Sequence, residues 1–212
     1  MDNAVVLVQA YLRVNGYFTV AEYPVIEAMR PGGFRVATDL DILAFRFPGG
    51  GRLVPGIPPD PVLGIGRDQA DMLIGEVKEG SAELNQAATD PAVLRAALTR
   101  FGCCPSDHVG HLVEQLLHHG RVLTPGGHHI RMIAFGSVTA SGFHRYTTIL
   151  LGHVVEYLRE YLRENWDVLH NAEFKDPAFG FLMTLEKAAR GLPAKQRRPA
   201  EGRRGARAGV AK

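Results

Sequence analysis

One stretch constrains the chain more than any other: Met72-Leu73-Ile74-Gly75-Glu76-Val77-Lys78-Glu79-Gly80. Mostly apolar residues run straight into Glu-Val-Lys, and a glycine closes the run. A strand buried on both faces reads as a short continuous apolar run rather than an alternating one. Side chains two apart on a strand share a face, so Glu76 and Lys78 project side by side while Val77 points away. Opposite charges at the end of a core strand are costly unless paired or metal-bound. The pair is therefore either structural or a site.

Context separates this Glu-x-Lys from a second copy, Glu173-Phe174-Lys175, which sits beside Asp176-Pro177 in what reads as a loop. The first copy also has an upstream partner. Ala37 to Phe45 reads as another strand, with Asp39 and Asp41 on one face together with Leu43 and Phe45. An Asp on one core strand and Glu-x-Lys on the next can meet in space. Two carboxylates beside a lysine suit a hard divalent cation and a developing phosphate charge.

At these residues the chain resembles the PD-(D/E)XK nuclease superfamily, which includes restriction endonucleases and Holliday junction resolvases. The matching residues are Asp41, followed by Ile42-Leu43-Ala44, and then Glu76, Val77 and Lys78. The order of elements over roughly residues 3 to 136 fits as well: a helix, three strands, a helix and a further strand. Leu40 stands where the family has proline, and the first helix offers only Asp2 and Gln9 where many members carry a glutamate. The resemblance implies an α/β fold with a restriction-endonuclease-like core, a four-strand mixed sheet flanked by helices. It also implies a nuclease that hydrolyses phosphodiester bonds in nucleic acid, DNA in the first place. Asp41, Glu76 and the backbone carbonyl of Val77 would bind Mg²⁺, with Mn²⁺ able to substitute. Lys78 would orient the attacking water or stabilise the transition state, and Asp39 would hold a second ion or a ligand. Two rival readings stand beside it: a nuclease fold without activity that binds nucleic acid or acts as a scaffold, and a structural ion network in an unrelated α/β domain.

The remaining signals organise the chain around that core. At 212 residues, 46% hydrophobic and 22% charged, it has ordinary globular composition. The net charge is +2, yet seven basic residues and one acid, Glu201, lie from Lys195 onward, so the body is acidic. That excludes a generally basic nucleic-acid binder. No apolar run approaches the roughly 20 residues that cross a bilayer. The start lacks a signal core, and adjacent Cys103 and Cys104 make no disulfide framework. The expectation is a cytoplasmic protein with no membrane partner. Residues 1–146 form the nuclease-like core, 147–191 a C-terminal helical pair packed on it with a possible homodimer contact, and 192–212 a disordered basic tail able to hold nucleic acid nonspecifically.

Several finer expectations follow. Asn3 caps a first helix that stops at Asn15-Gly16. Tyr17 to Ile26 forms the first strand; its Glu22 either faces the site or sits at an exposed edge. The Gly- and Pro-rich stretch from Pro48 to Asp68 hangs beside the site, with Arg52 and Arg67 as candidate backbone contacts or solvated charges. Ala82 to Ala88 starts a helical pattern that Asp90-Pro91 restarts, ending before Gly102. Asn85 and Gln86 there can reach substrate or be plain polar positions. Cys103, Cys104, His108 and His111 suggest zinc only weakly, since zinc cysteines are normally two to four residues apart; the alternative is a helix from Asp107 to Gly120. A hairpin over 122–135 follows, and 136–146 is a loop. Thr147 or Thr148 caps a long amphipathic helix to about Leu169, and Asp176-Pro177 opens a last one.

Overall fold

A computed structural model describes residues 2–29 and 31–191; the segment 192–212, expected to be a disordered tail, lies outside the described residues. Helix α1 spans Asn3–Val14 and is capped by Asp2, whose carboxylate accepts from the Ala4 amide at 3.0 Å. The expected cap, Asn3, is instead the first helical residue, because the aspartate one step earlier has the extended backbone a cap needs. The helix stops at Asn15, as expected.

Strands β1 (Phe18–Ala28), β2 (Phe34–Arg46) and β3 (Asp71–Val77) form an antiparallel meander. The chain then passes through a short strand β4 (Ser81–Ala82), a 3-10 turn at Ala87–Thr89, and helices α2 (Pro91–Phe101) and α3 (Val109–His119). Strand β5 (Arg121–Leu123) turns into β6 (His129–Gly136), which lies parallel to β3. A two-residue strand β7 (Val138–Thr139) precedes β8 (Thr147–Leu150), and helices α4 (Leu151–Glu164), α5 (Trp166–Leu169) and α6 (Pro177–Arg190) finish the described chain.

The principal sheet is mixed and has six strands rather than four. Its order is β1-β2-β3-β6-β5, and β8 pairs in parallel with the C-terminal half of β6, beyond the part that β5 covers. β4 and β7 make a separate two-stranded parallel pair. Residues 147–150, expected to cap a helix, are a strand because β6 offers them an open edge; the helix begins only at Leu151 and breaks at Asn165. Helix α2 keeps its expected limits, with Asp90 accepting from the Ala92 amide at 2.7 Å and Gly102 closing the end with a left-handed φ of 62°. The helix expected over 82–88 is absent: this segment holds β4 and the 3-10 turn.

Helices cover both faces. Ile42, Leu73, Val77, Ile133 and Phe135 pack under α1, α4 and α6. Leu43, Met72, Ile74, Ile130 and Met132 pack under α2 and α3. Every residue of β3 is buried, which is why it reads as a continuous apolar run. Among the described residues no helix is long and apolar enough to cross a membrane.

Candidate functional site

β2 and β3 pair from Ile42↔Gly75 to Arg46↔Asp71. One step beyond the first of these pairs, Asp41 lies across from Glu76, and both fall on the α2 side of the sheet. Gly75 makes this crossing close: a Cβ there would stand 3.2 Å from the Ile42 Cβ and 3.3 Å from the Ile133 Cγ2, so these side chains would have to yield by a few tenths of an ångström. Asp41 Oδ2 accepts from the Val77 amide at 2.8 Å, so the aspartate is fastened to the backbone beside Glu76.

The Glu76 side chain is 1% exposed. Its Oε1 takes two donors, the Lys78 ammonium and the Asn85 amide, the latter at 2.7 Å. Asn85 is held in turn, since its Oδ1 accepts from the Ala88 amide at 2.6 Å. Glu76 Oε2 is buried, and no donor among the described residues reaches it. Burial raises the Glu76 carboxyl above the ordinary range and the Asp41 charge adds to the rise, while Lys78 and Asn85 pull against it. The hydrogen bond to Glu76 raises the Lys78 pKa, so the lysine stays a cation through the neutral range. Its side chain is 39% exposed, which leaves the ammonium open to an incoming group.

The backbone that carries Asn85 is positioned by a close crossing. The Gly80 carbonyl accepts from the Ser137 amide at 2.8 Å, and β4 runs over the end of β6 at Gly136. A Cβ on Gly136 would come within 2.4 Å of the Ala82 nitrogen, so only glycine lets the segment pass. Tyr146 reaches the same segment, accepting from the Leu84 amide at 3.4 Å.

The expected residues divide clearly. Asp41, Glu76, Lys78 and the backbone of Val77 converge. Asp39 does not join them: it is exposed and lies beyond Ile42, where β2 has outrun β3. Glu22 is exposed on β1 with a left-handed φ of 50° and accepts from the Asp2 amide at 3.2 Å. Gln86 is exposed at the start of the 3-10 turn, and it is Asn85 that reaches Glu76. The Pro48–Asp68 loop, expected beside the site, sits at the other end of the strands, because antiparallel pairing puts the β2–β3 connection at Arg46 and Asp71. It is a structural strap: buried Arg46 donates to the carbonyls of Gly50 at 3.0 Å and Gly66 at 2.6 Å, and buried Asp60 accepts from Tyr11 at 2.8 Å and contacts His153 at 2.7 Å.

Among the described residues no three His, Cys, Asp or Glu side chains form a group that could hold a metal ion. Asp41 and Glu76 are a pair, and a cation there would need backbone or solvent oxygen as well. No protein-family model, no curated protein and no solved structure matches this chain.

Proposed function

We propose that the protein is a metal-dependent nuclease of the PD-(D/E)XK kind. One observation carries the reading: a buried glutamate whose first oxygen accepts two hydrogen bonds and whose second meets no donor among the described residues, beside a second carboxylate and an exposed lysine. A structural ion pair has no use for an unsatisfied buried oxygen, which costs about 1–3 kcal/mol or more. A strand order of three antiparallel strands followed by a parallel fourth, with helices on both faces, supports the same reading.

The donor set is all oxygen and fits a hard cation such as Mg²⁺ or Mn²⁺. Asp41, Glu76 and the Val77 carbonyl would hold it. When bound, such an ion lowers the pKa of a water and offsets charge on a phosphate. Asn85 and Lys78 fix the Glu76 carboxylate so that its second oxygen faces away from both of them. Lys78, held as a cation, stabilises negative charge on the phosphate rather than taking a proton from water. Val77 donates its amide to Asp41 and keeps that carboxylate in register with Glu76.

The test is a cleavage assay with Mg²⁺ or Mn²⁺ on single-stranded, duplex and branched DNA and on RNA. Wild type should cleave at least one form, and Asp41→Asn and Lys78→Ala should each lower the rate by roughly a hundredfold or more, as loss of a charge-stabilising group does, with melting temperature retained. Full activity in either variant would remove the site from the chemistry. A second reading, the same fold binding nucleic acid without cleaving it, is favoured by the lack of a third metal-ligating side chain among the described residues. It predicts binding without turnover on every substrate form.

A further inference from the structure

β1 and α2 run side by side in opposite directions, and three cavities lie in succession along the seam between them. At one end a cavity of about 430 Å³ is walled by Phe18, Phe45, Met72 and Phe101, with Thr19 and His128 as polar members. At the other end lies an open cavity of about 530 Å³ lined by Arg95, Thr99 and Arg100 against Ile26–Ala28. A smaller space between them shares Ile26, Ala96 and Arg100 with the second cavity, and it is bounded by Tyr23, whose ring packs against Phe101 at 5.0 Å.

The two ends differ in chemistry. Arg95 and Arg100 are exposed and make no hydrogen bond or ion pair among the described residues. The acid in that wall, Glu27, is already paired with Arg35 at 3.1 Å. The arginine end is therefore positive and unsatisfied although the chain's body is acidic. The aromatic end presents Phe18 at 70% and Phe101 at 42% exposure, with Phe47 packed edge-on against Phe18. Burial lowers the His128 pKa, so the ring meets this cavity neutral, with its Nδ1 bonded to Thr124 at 2.9 Å.

We propose that this crevice binds a single strand of nucleic acid, with Arg95 and Arg100 on its phosphates and bases stacked on Phe18 and Phe101. Unpaired guanidinium groups followed by exposed aromatic rings is the arrangement that single strands require: charge for the backbone, π-faces for unstacked bases. A duplex keeps its bases stacked inward and offers nothing to the phenyl rings. An added peptide strand is disfavoured on β1, because Pro24 lacks an N–H and the left-handed Glu22 breaks the pleat in mid-strand. The inference rests on the nuclease reading for its purpose. Met72 in the cavity wall and Glu76 share a face of β3 four residues apart, about 13 Å, so the crevice would lead a strand past Asp41, Glu76 and Lys78.

The experiment is equilibrium binding of fluorescein-labelled dT20, rU20 and a hairpin duplex of equal length to the full chain in EDTA, across a salt series. Without metal the result is independent of cleavage, so a failure of the nuclease reading leaves it standing, and the reverse. Arg95→Gln/Arg100→Gln should weaken single-strand binding roughly tenfold and flatten the salt slope by about 1.4, the share of two phosphate contacts. Phe18→Ala, at an exposed ring, should weaken it about fivefold with the slope unchanged. Preference for dT20 or for rU20 supports the crevice and assigns its sugar. The charge-matched variant Arg121→Gln/Arg159→Gln, at exposed positions outside the crevice, should change little. Equal losses in the two arginine doubles, an equal loss on the hairpin duplex, or no single-strand binding by wild type would each overturn the proposal.

Discussion

Asp71 and Glu76 stand at opposite ends of β3, both buried and both paired with a base, yet their surroundings differ. Five residues apart, they point to opposite faces of the sheet. Asp71 is saturated: Arg131 donates to both of its oxygens, at 2.8 and 2.7 Å, and Tyr17 donates at 2.6 Å. Arg131 spends a further N–H on the Leu63 carbonyl at 2.8 Å. Burial, then Asp71, pushes the Tyr17 hydroxyl far above its ordinary pKa, so it remains a donor throughout the working range. Glu76 has two donors on one oxygen, none on the other, and a carboxylate for a neighbour. The first arrangement is finished as it stands. The second leaves an acceptor that a cation would complete, and residue type alone does not separate the two.

The comparison can be broken most forcefully at the saturated end. Arg131→Met should cost about 3–5 kcal/mol, because it leaves Asp71 charged and buried with Tyr17 alone. Denaturant melts measure this, and a loss under about 1 kcal/mol, well short of a broken buried pair, would mean that Asp71 is not the structural pair its geometry describes.

Divalent cation should distinguish the ends next. Saturating Mg²⁺, at about a hundred times its Kd, should stabilise wild type by about 2.7 kcal/mol. The shift should vanish in Glu76→Gln and Asp41→Asn and persist in Tyr17→Phe, which alters only the Asp71 end. Equal shifts in all four proteins would place the cation elsewhere.

The smallest effect sharpens the comparison by pH. A raised Glu76 pKa means the folded state holds the proton more tightly than the unfolded chain. The stability this lends is present below the unfolded value near 4.5 and lost as pH rises through the higher folded value. Glu76→Gln removes that loss. In metal-free buffer it should match wild type at low pH and exceed it at neutral pH, where the wild-type carboxylate is charged and buried. Lys78, whose folded pKa is also raised, loses its share only when pH climbs past the ordinary lysine value of 10.5. A constant difference between Glu76→Gln and wild type from mildly acidic to mildly basic buffer would show that the carboxyl is not perturbed.

Much of the frame was legible from residues alone. Strand parity put Glu76 beside Lys78 and turned Asp41 to the same face, because side chains alternate whatever surrounds the strand. Asp90-Pro91 and Gly102 set the limits of α2, and Asp176-Pro177 the start of α6, because caps act within a few residues. Other features required the assembled molecule. Thr147 to Leu150 read as a helix start and became β8, since an open edge on β6 is visible only once the sheet exists. Whether Asn85 or Gln86 met Glu76 depended on the 3-10 turn and on β4 crossing Gly136. The long loop lay at the wrong end for the site because strand direction, not sequence proximity, sets where connections fall. Local chemistry thus determined which residues this chain offers in pairs. Only tertiary structure decided that Asp71 would be closed by Arg131, sixty residues away, and that one oxygen of Glu76 would be left open. Which donors reach a buried carboxylate is settled by long-range packing, and no local pattern records it.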